Sequence, residues 1–175
     1  MSKRIQLGNI HKIPLPNGKY AFGRVMNDAG LAIYKGEYDC EKEFDPNVEY
    51  QFIITVYQDL LTDGKWPVIG NVPFKTEAES WPPPCCQINQ VTGEFSIYYK
   101  GETRKIVTSE EEEACLQMEV AAVCDREHVL ARIMGDNTWE EVAWCLKGKD
   151  LRIKENRLEV KKEGEQFLKN YFSKH

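Results

Sequence analysis

The sequence lacks an apolar run long enough to cross a membrane as a helix. Its first residues, MSKRIQLGNIHKIPLP, carry two basic side chains with no apolar stretch behind them. Neither a membrane span nor a signal peptide is expected, and the chain reads as cytoplasmic. It also lacks a C-x-x-C pair, a G-x-x-x-x-G-K-[ST] phosphate loop and a G-x-G-x-x-G fingerprint, so dithiol redox and nucleotide chemistry have no support in it. Histidine is scarce: His11, His128 and His175 are the 3 imidazoles available for base catalysis. Basic charge is in deficit, with 23 Lys and Arg against 28 Asp and Glu, a net charge of -5. The deficit is uneven, because residues 147–175 hold nine basic side chains against five acidic ones and the remainder of the chain is correspondingly acidic. An acidic body repels phosphate backbones and attracts basic partners, so nucleic acid is not expected as a ligand.

What is present fits one globular core: 175 residues, 42% hydrophobic and 11% aromatic. A chain of this length does not need disulfide staples, so Cys40, Cys85, Cys86, Cys115, Cys124 and Cys145 are read as reduced thiols. Cys124 and His128 stand four apart, a spacing that shares a helix face. Two ligands without a third do not make a zinc site, and no metal or other cofactor is expected.

Residues 1–107 are punctuated as a β region, with short β-branched and aromatic runs between turn residues. Asn17-Gly18 predicts a type I′ turn joining a strand that ends near Leu15 to one that begins at Lys19. In the second strand Tyr20, Phe22, Arg24 and Met26 alternate with Ala21, Gly23 and Val25, which places a second layer close to Gly23. Further strands are expected at Leu31 to Tyr34, Val48 to Tyr57, Trp66 to Ile69, Phe95 to Tyr99 and Arg104 to Val107. Lys100-Gly101 marks a chain reversal, and Pro82-Pro83-Pro84 a polyproline-like surface segment beside Trp81.

From residue 108 the pattern becomes helical. Ser109 with Glu112, and Thr138 with Glu141, have capping-box spacing; Asp125 caps a helix that runs to Gly135, and Gly148 closes the one after it. Phe167, Leu168, Tyr171 and Phe172 form a stripe expected to dock the last helix on the body. The whole is read as a single domain, 1–175, with a β-rich subdomain over about 1–107 and a helical one over about 108–175. The fold class is α+β: an antiparallel, SH3-like barrel or strongly bent sheet covered by C-terminal helices.

Asp125, Glu127, His128 and Arg132 could be drawn as an acid–base site of a hydrolase, but a helix cap, a packed imidazole and surface ion pairs account for them more simply. No catalytic residue is assigned. Lys19, Tyr20, Phe22 and Arg24 interleave basic and aromatic groups, as a stacking platform for single strands does; half-buried strand residues have the same pattern. The alternative to a protein-binding role is thus a small β-barrel recognition module for nucleic acid or peptide.

The segment IPLPNGKYAFGRV, Ile13 to Val25, followed some forty residues later by WPVIG, Trp66 to Gly70, resembles the immunity protein 26 family of bacterial polymorphic toxin systems. The residues that carry the resemblance are Pro14, Pro16, Gly18, Tyr20, Gly23, Arg24, Val25, Trp66, Pro67 and Gly70. The stretch AAVCDREHVLARI, with His128 and Arg132, is similar to a further family segment, so the resemblance extends over roughly residues 8 to 146. It implies a non-enzymatic protein that neutralises a cognate toxin by binding it, with the matched residues serving the fold. The contact surface must vary with the toxin. Since many toxins that attack nucleic acid are basic, the candidate contact is the acidic cluster Glu110, Glu111, Glu112 and Glu113, with an exposed Trp81.

Overall fold

Tyr20 and Phe22 point into one layer of side chains and Ala21 and Val25 into another, so the alternation along this strand sorts its residues between two faces of a sheet. The computed structural model describes residues 5–173. Its strands are β1 Asn9–Pro14, β2 Tyr20–Val25, β3 Gly30–Tyr34, β4 Tyr50–Val56, β5 Val68–Asn71, β6 Cys85–Ile88, β7 Phe95–Tyr99, β8 Glu102–Lys105, β9 Val123–Cys124, β10 Cys145–Leu146 and β11 Lys149–Asp150. Its helices are α1 Ser109–Cys115, α2 Arg126–Ile133, α3 Thr138–Ala143 and α4 Lys154–Phe172. The fold is α+β with mostly antiparallel pairing. The chain forms two compact units, Met1–Pro83 with Ala122–Asp136 and Pro84–Ala121 with Asn137–His175. A division near residue 108 does not describe them, because the chain leaves the first unit, builds part of the second, and returns.

The first unit is a six-stranded sheet in the order β5-β1-β2-β3-β4-β9, with β9 parallel to β4. It is not a closed barrel. Edge strands β5 and β9 have four and two residues, too short to carry the continuous staggered ladder that closure needs, and they do not pair among the described residues. One face packs Ile13, Val25, Leu31, Ile33, Ile54 and Val56 against Val129 and Ile133 of α2. The other is an aromatic layer in which Phe22 stacks on Phe44 at 4.2 Å, and Tyr34 meets Phe44 and Tyr50, each at 4.9 Å. At Gly23 an added Cβ would lie 2.9 Å from Leu31 Cδ1, so side chains of the neighbouring strand crowd it, where the sequence suggested a second layer.

The β1–β2 turn differs from the type I′ expectation. Pro16 and Asn17 form its centre, neither with positive φ, and Gly18 follows at φ 83° with its N–H donating to the Leu15 carbonyl at 3.0 Å. Proline fixes a negative φ, which selects a type I turn followed by a left-handed residue. The primed geometry appears instead at Asp28 and Ala29, φ 56° and 51°, closed by the Gly30 N–H on the Asn27 carbonyl at 2.9 Å.

The second unit holds the sheet β6-β7-β8, the hairpin β10–β11, and α1, α3 and α4 around Cys86, Phe95, Cys115, Trp144, Leu151 and Val160. β7 spans the expected residues, whereas β8 lies two residues earlier than Arg104 to Val107. The caps shift likewise. Thr108 Oγ1, one residue before Ser109, accepts from the Glu111 N–H at 3.2 Å. Thr138 is the first residue of α3 and Asn137 precedes it with no side-chain cap. Lys147-Gly148, both at positive φ, turns the β10–β11 hairpin and does not close a helix. α4 buries Arg157, Val160 and Gly164, while Phe167, Tyr171 and Phe172 stay 55%, 51% and 71% exposed. The aromatic stripe therefore does not dock the helix; the turns before it do, with Gly164 admitting Thr92 so closely that an added Cβ would lie 2.5 Å from its Cα.

Candidate functional site

Most residues of the two N-terminal motifs hold the first unit together. Pro14 ends β1, exposed, and Pro16 and Gly18 shape the turn. Tyr20 is half-buried in the aromatic layer with Lys12 Nζ 4.9 Å over its ring. Arg24 donates twice to the Val72 carbonyl, at 3.0 and 2.7 Å, and once to Tyr50 Oη at 2.8 Å, with its guanidinium 3.6 Å over Phe74. Trp66 is buried, and its carbonyl accepts from His11 Nδ1 at 2.7 Å. Pro67 is exposed, with its carbonyl accepting the Lys12 N–H at 2.9 Å. Gly70 pairs with Ile10 in open space.

His11 was not singled out by its sequence position, yet it is one of the few buried polar residues. Burial depresses the imidazole pKa, and the bond to Trp66 opposes that shift in part. The alternation of β1 could have revealed it, since His11 shares a face with Ile13.

His128 lies half-buried in α2, and its backbone N–H donates to Asp125 Oδ1 at 2.8 Å. Asp125 is thus a helix cap, the geometry that the simpler sequence reading gives it. Arg132 stacks 4.3 Å over Phe52, and Arg126 pairs with Asp63 beside Trp66. Among the described residues no three His, Cys, Asp or Glu side chains converge as metal ligands, around Cys124 and His128 or elsewhere.

The acidic cluster is on α1, in the second unit, and Trp81 is in the first. Trp81 is half-buried where exposure was expected. Nor are the four glutamates a free acidic patch. Glu111 accepts from the Val107 N–H at 2.9 Å and pairs with Arg104 at 2.6 Å, and these two contacts hold its carboxyl below the usual range. Partial burial would raise the Glu112 pKa, but Lys161 and Arg157, each at 2.8 Å, outweigh it and lower it. Glu113 reaches Arg157 at 2.5 Å, and Glu110 and Glu113 are exposed. Arg157 itself is 2% exposed and also donates to the Leu151 and Arg152 carbonyls at 3.0 and 2.9 Å. A buried cation on the α4 stripe explains why α1 carries so many acids: two of the four neutralise it.

Beside this network a groove of about 480 Å³ has apolar walls from Ile88, Phe95 and Ile106 and charged ones from Lys105, Glu112 and Lys161. Cys86 and Cys115 meet in the core of the same unit, and burial pushes both thiols up, out of the range of a reactive thiolate.

No curated protein and no solved structure matches the chain. The family model for immunity protein 26 matches residues 6–96, which takes in both N-terminal motifs and leaves Ala121 to Ile133 outside. That span exceeds half of the 175 residues and contains β1 to β6, so the chain belongs to the immunity protein 26 family.

Proposed function

We propose that this protein neutralises a cognate bacterial toxin by direct binding, as a non-enzymatic cytoplasmic immunity protein of a polymorphic toxin system. The family match over residues 6–96 carries this reading. Two features support it. Asp125 Oδ1 accepts the His128 backbone N–H as a helix cap, a structural role for a residue that could be drawn into a hydrolase site. No described helix is long and apolar enough to cross a membrane, which suits a partner met in solution. The toxin contact is on the second unit and includes the exposed α1 carboxylates Glu110 and Glu113, which favour a basic toxin such as a nuclease. Trp81, half-buried in the first unit, is assigned packing and no share in that contact. The matched residues from Pro14 to Gly70, with His128 and Arg132, serve the fold.

The experiment is co-expression in a bacterial host with a candidate toxin, a protein that the tagged chain retains from a lysate of its source organism. Growth restored by the intact protein, with a stoichiometric complex on size exclusion, is the expected result. Continued growth arrest with soluble protein present would sink the reading. Replacing Glu110 with Lys should slow association and flatten its salt dependence without loss of stability.

A further inference from the structure

We infer that the open edge of β8 and the groove beside it form a docking site for an extended strand of the partner protein, one that alternates branched apolar with acidic side chains. The inference rests on the toxin-binding reading for the identity of that partner.

β8 is the last strand of its sheet, and Glu102, Thr103, Arg104 and Lys105 are all exposed. The opposite edge is covered, with the Cys86 N–H on the Glu119 carbonyl at 2.8 Å and the Ala121 N–H on the Cys86 carbonyl at 2.7 Å. The β7–β8 hairpin turns at Lys100 and Gly101, both at positive φ, and the first pair beyond the turn is Tyr99 with Glu102. A two-residue turn of this type makes the closing pair a hydrogen-bonded one, and the next such pair is Ile97 with Arg104. Thr103 and Lys105 therefore direct their N–H groups away from the sheet, at the spacing that another strand reads.

The side chains define which strand fits. Arg104 is held by Glu111 and Lys161 by Glu112, while Lys105 has no carboxylate within ion-pair distance among the described residues. An incoming acidic side chain would supply it. The groove that Lys105 borders has Ile88, Phe95 and Ile106 for an aliphatic side chain to cover. At the end of the edge stands Val107, 80% exposed, while Glu111 pins its N–H. It is the most exposed of the large apolar side chains among the described residues. Lys100, Glu102 and Lys105 also guard the edge against indiscriminate pairing, so charge selects the strand that is accepted.

The probe is a phage-displayed library of random dodecapeptides, panned on the full-length protein. Enriched sequences should alternate Val or Ile with Asp or Glu, and a synthetic consensus peptide should shift the backbone amide resonances of Glu102 to Val107. Thr103→Pro removes an outward N–H at a position where an edge strand tolerates proline, and Lys105→Glu reverses the selecting charge on an exposed side chain. Each should weaken the consensus peptide by about tenfold or more. A consensus whose affinity neither variant changes, or a library with no enrichment, overturns the site. The growth assay fails separately: growth protection without a strand consensus overturns the β8 site alone, while a β8-dependent consensus without protection supports the site and removes the toxin as its occupant.

Discussion

In the first unit both faces of a six-stranded sheet are covered, one by α2 and one by the aromatic layer. The second unit is the smaller, yet among the described residues it carries ten of the fifteen exposed large apolar side chains, from Val91 to Phe172. The family match follows the same division, since its 6–96 span takes in the first unit up to Pro83 but only β6 and the first two residues of β7 in the second. A frame shared across a family has to keep its core, whereas a surface that meets a particular toxin has to be free to differ. The proposed reading follows this difference, with the frame in the first unit and the partner-facing surface in the second.

Perturbations confined to one unit can break or sharpen this comparison. Phe22→Ala should cost about 4 kcal/mol by emptying the aromatic layer, with hydrogen exchange accelerating first in β1 to β4. Arg157→Ala should cost about 3 kcal/mol, because it strands Glu112 and two carbonyls without their cation. Here exchange should rise in β6 to β8 and α4. Acceleration in both units from either change would mean that they unfold together, as the single domain expected from the sequence would. Gly164→Ala should cost about 2 kcal/mol in the second unit, since the new Cβ meets the Thr92 backbone, and a lowered Tm would register it.

The smaller effects belong to the first unit. His11 is kept neutral by burial, so its folded pKa lies below its unfolded value near 6.5. The unfolded chain therefore takes up the proton first, and stability should fall as pH drops below about 6.5. His11→Gln should remove that slope from denaturant midpoints measured between pH 7 and pH 5. Ala29→Gly should stabilise by about 0.5 to 1 kcal/mol, as glycine relieves the left-handed strain at φ 51°. An unchanged midpoint would show that the turn stores no strain.

Local rules placed much of this structure. The β7 strand, the Lys100-Gly101 reversal and the Asp125 cap each depend on neighbours a few residues away, and sequence spacing reads those directly. The β1–β2 turn departs from the type I′ expectation because Pro16 competes with Asn17-Gly18, and a fixed negative φ overrides a preference for a positive one. The tail of α4 illustrates a deeper limit. Periodicity shows that Phe167 and Tyr171 share a face, but it cannot show whether anything lies opposite. The pairing of Glu112 and Glu113 with Arg157 could not be read from spacing, because the partners stand more than forty residues apart in the chain. β6 escaped notice behind the triple proline, since four residues with two cysteines carry little alternation.

The first unit takes its last strand and its covering helix from residues 122–136, after the three-stranded sheet of the second unit has already been synthesised. While the protein emerges from the ribosome, the face formed by Ile13, Val25 and Ile54 must therefore wait, uncovered, until Val129 and Ile133 arrive. Folding of the first unit is thus delayed until residues 122–136 have been made. A chain truncated where the family match ends would leave a sheet with one bare apolar side, prone to aggregation or degradation.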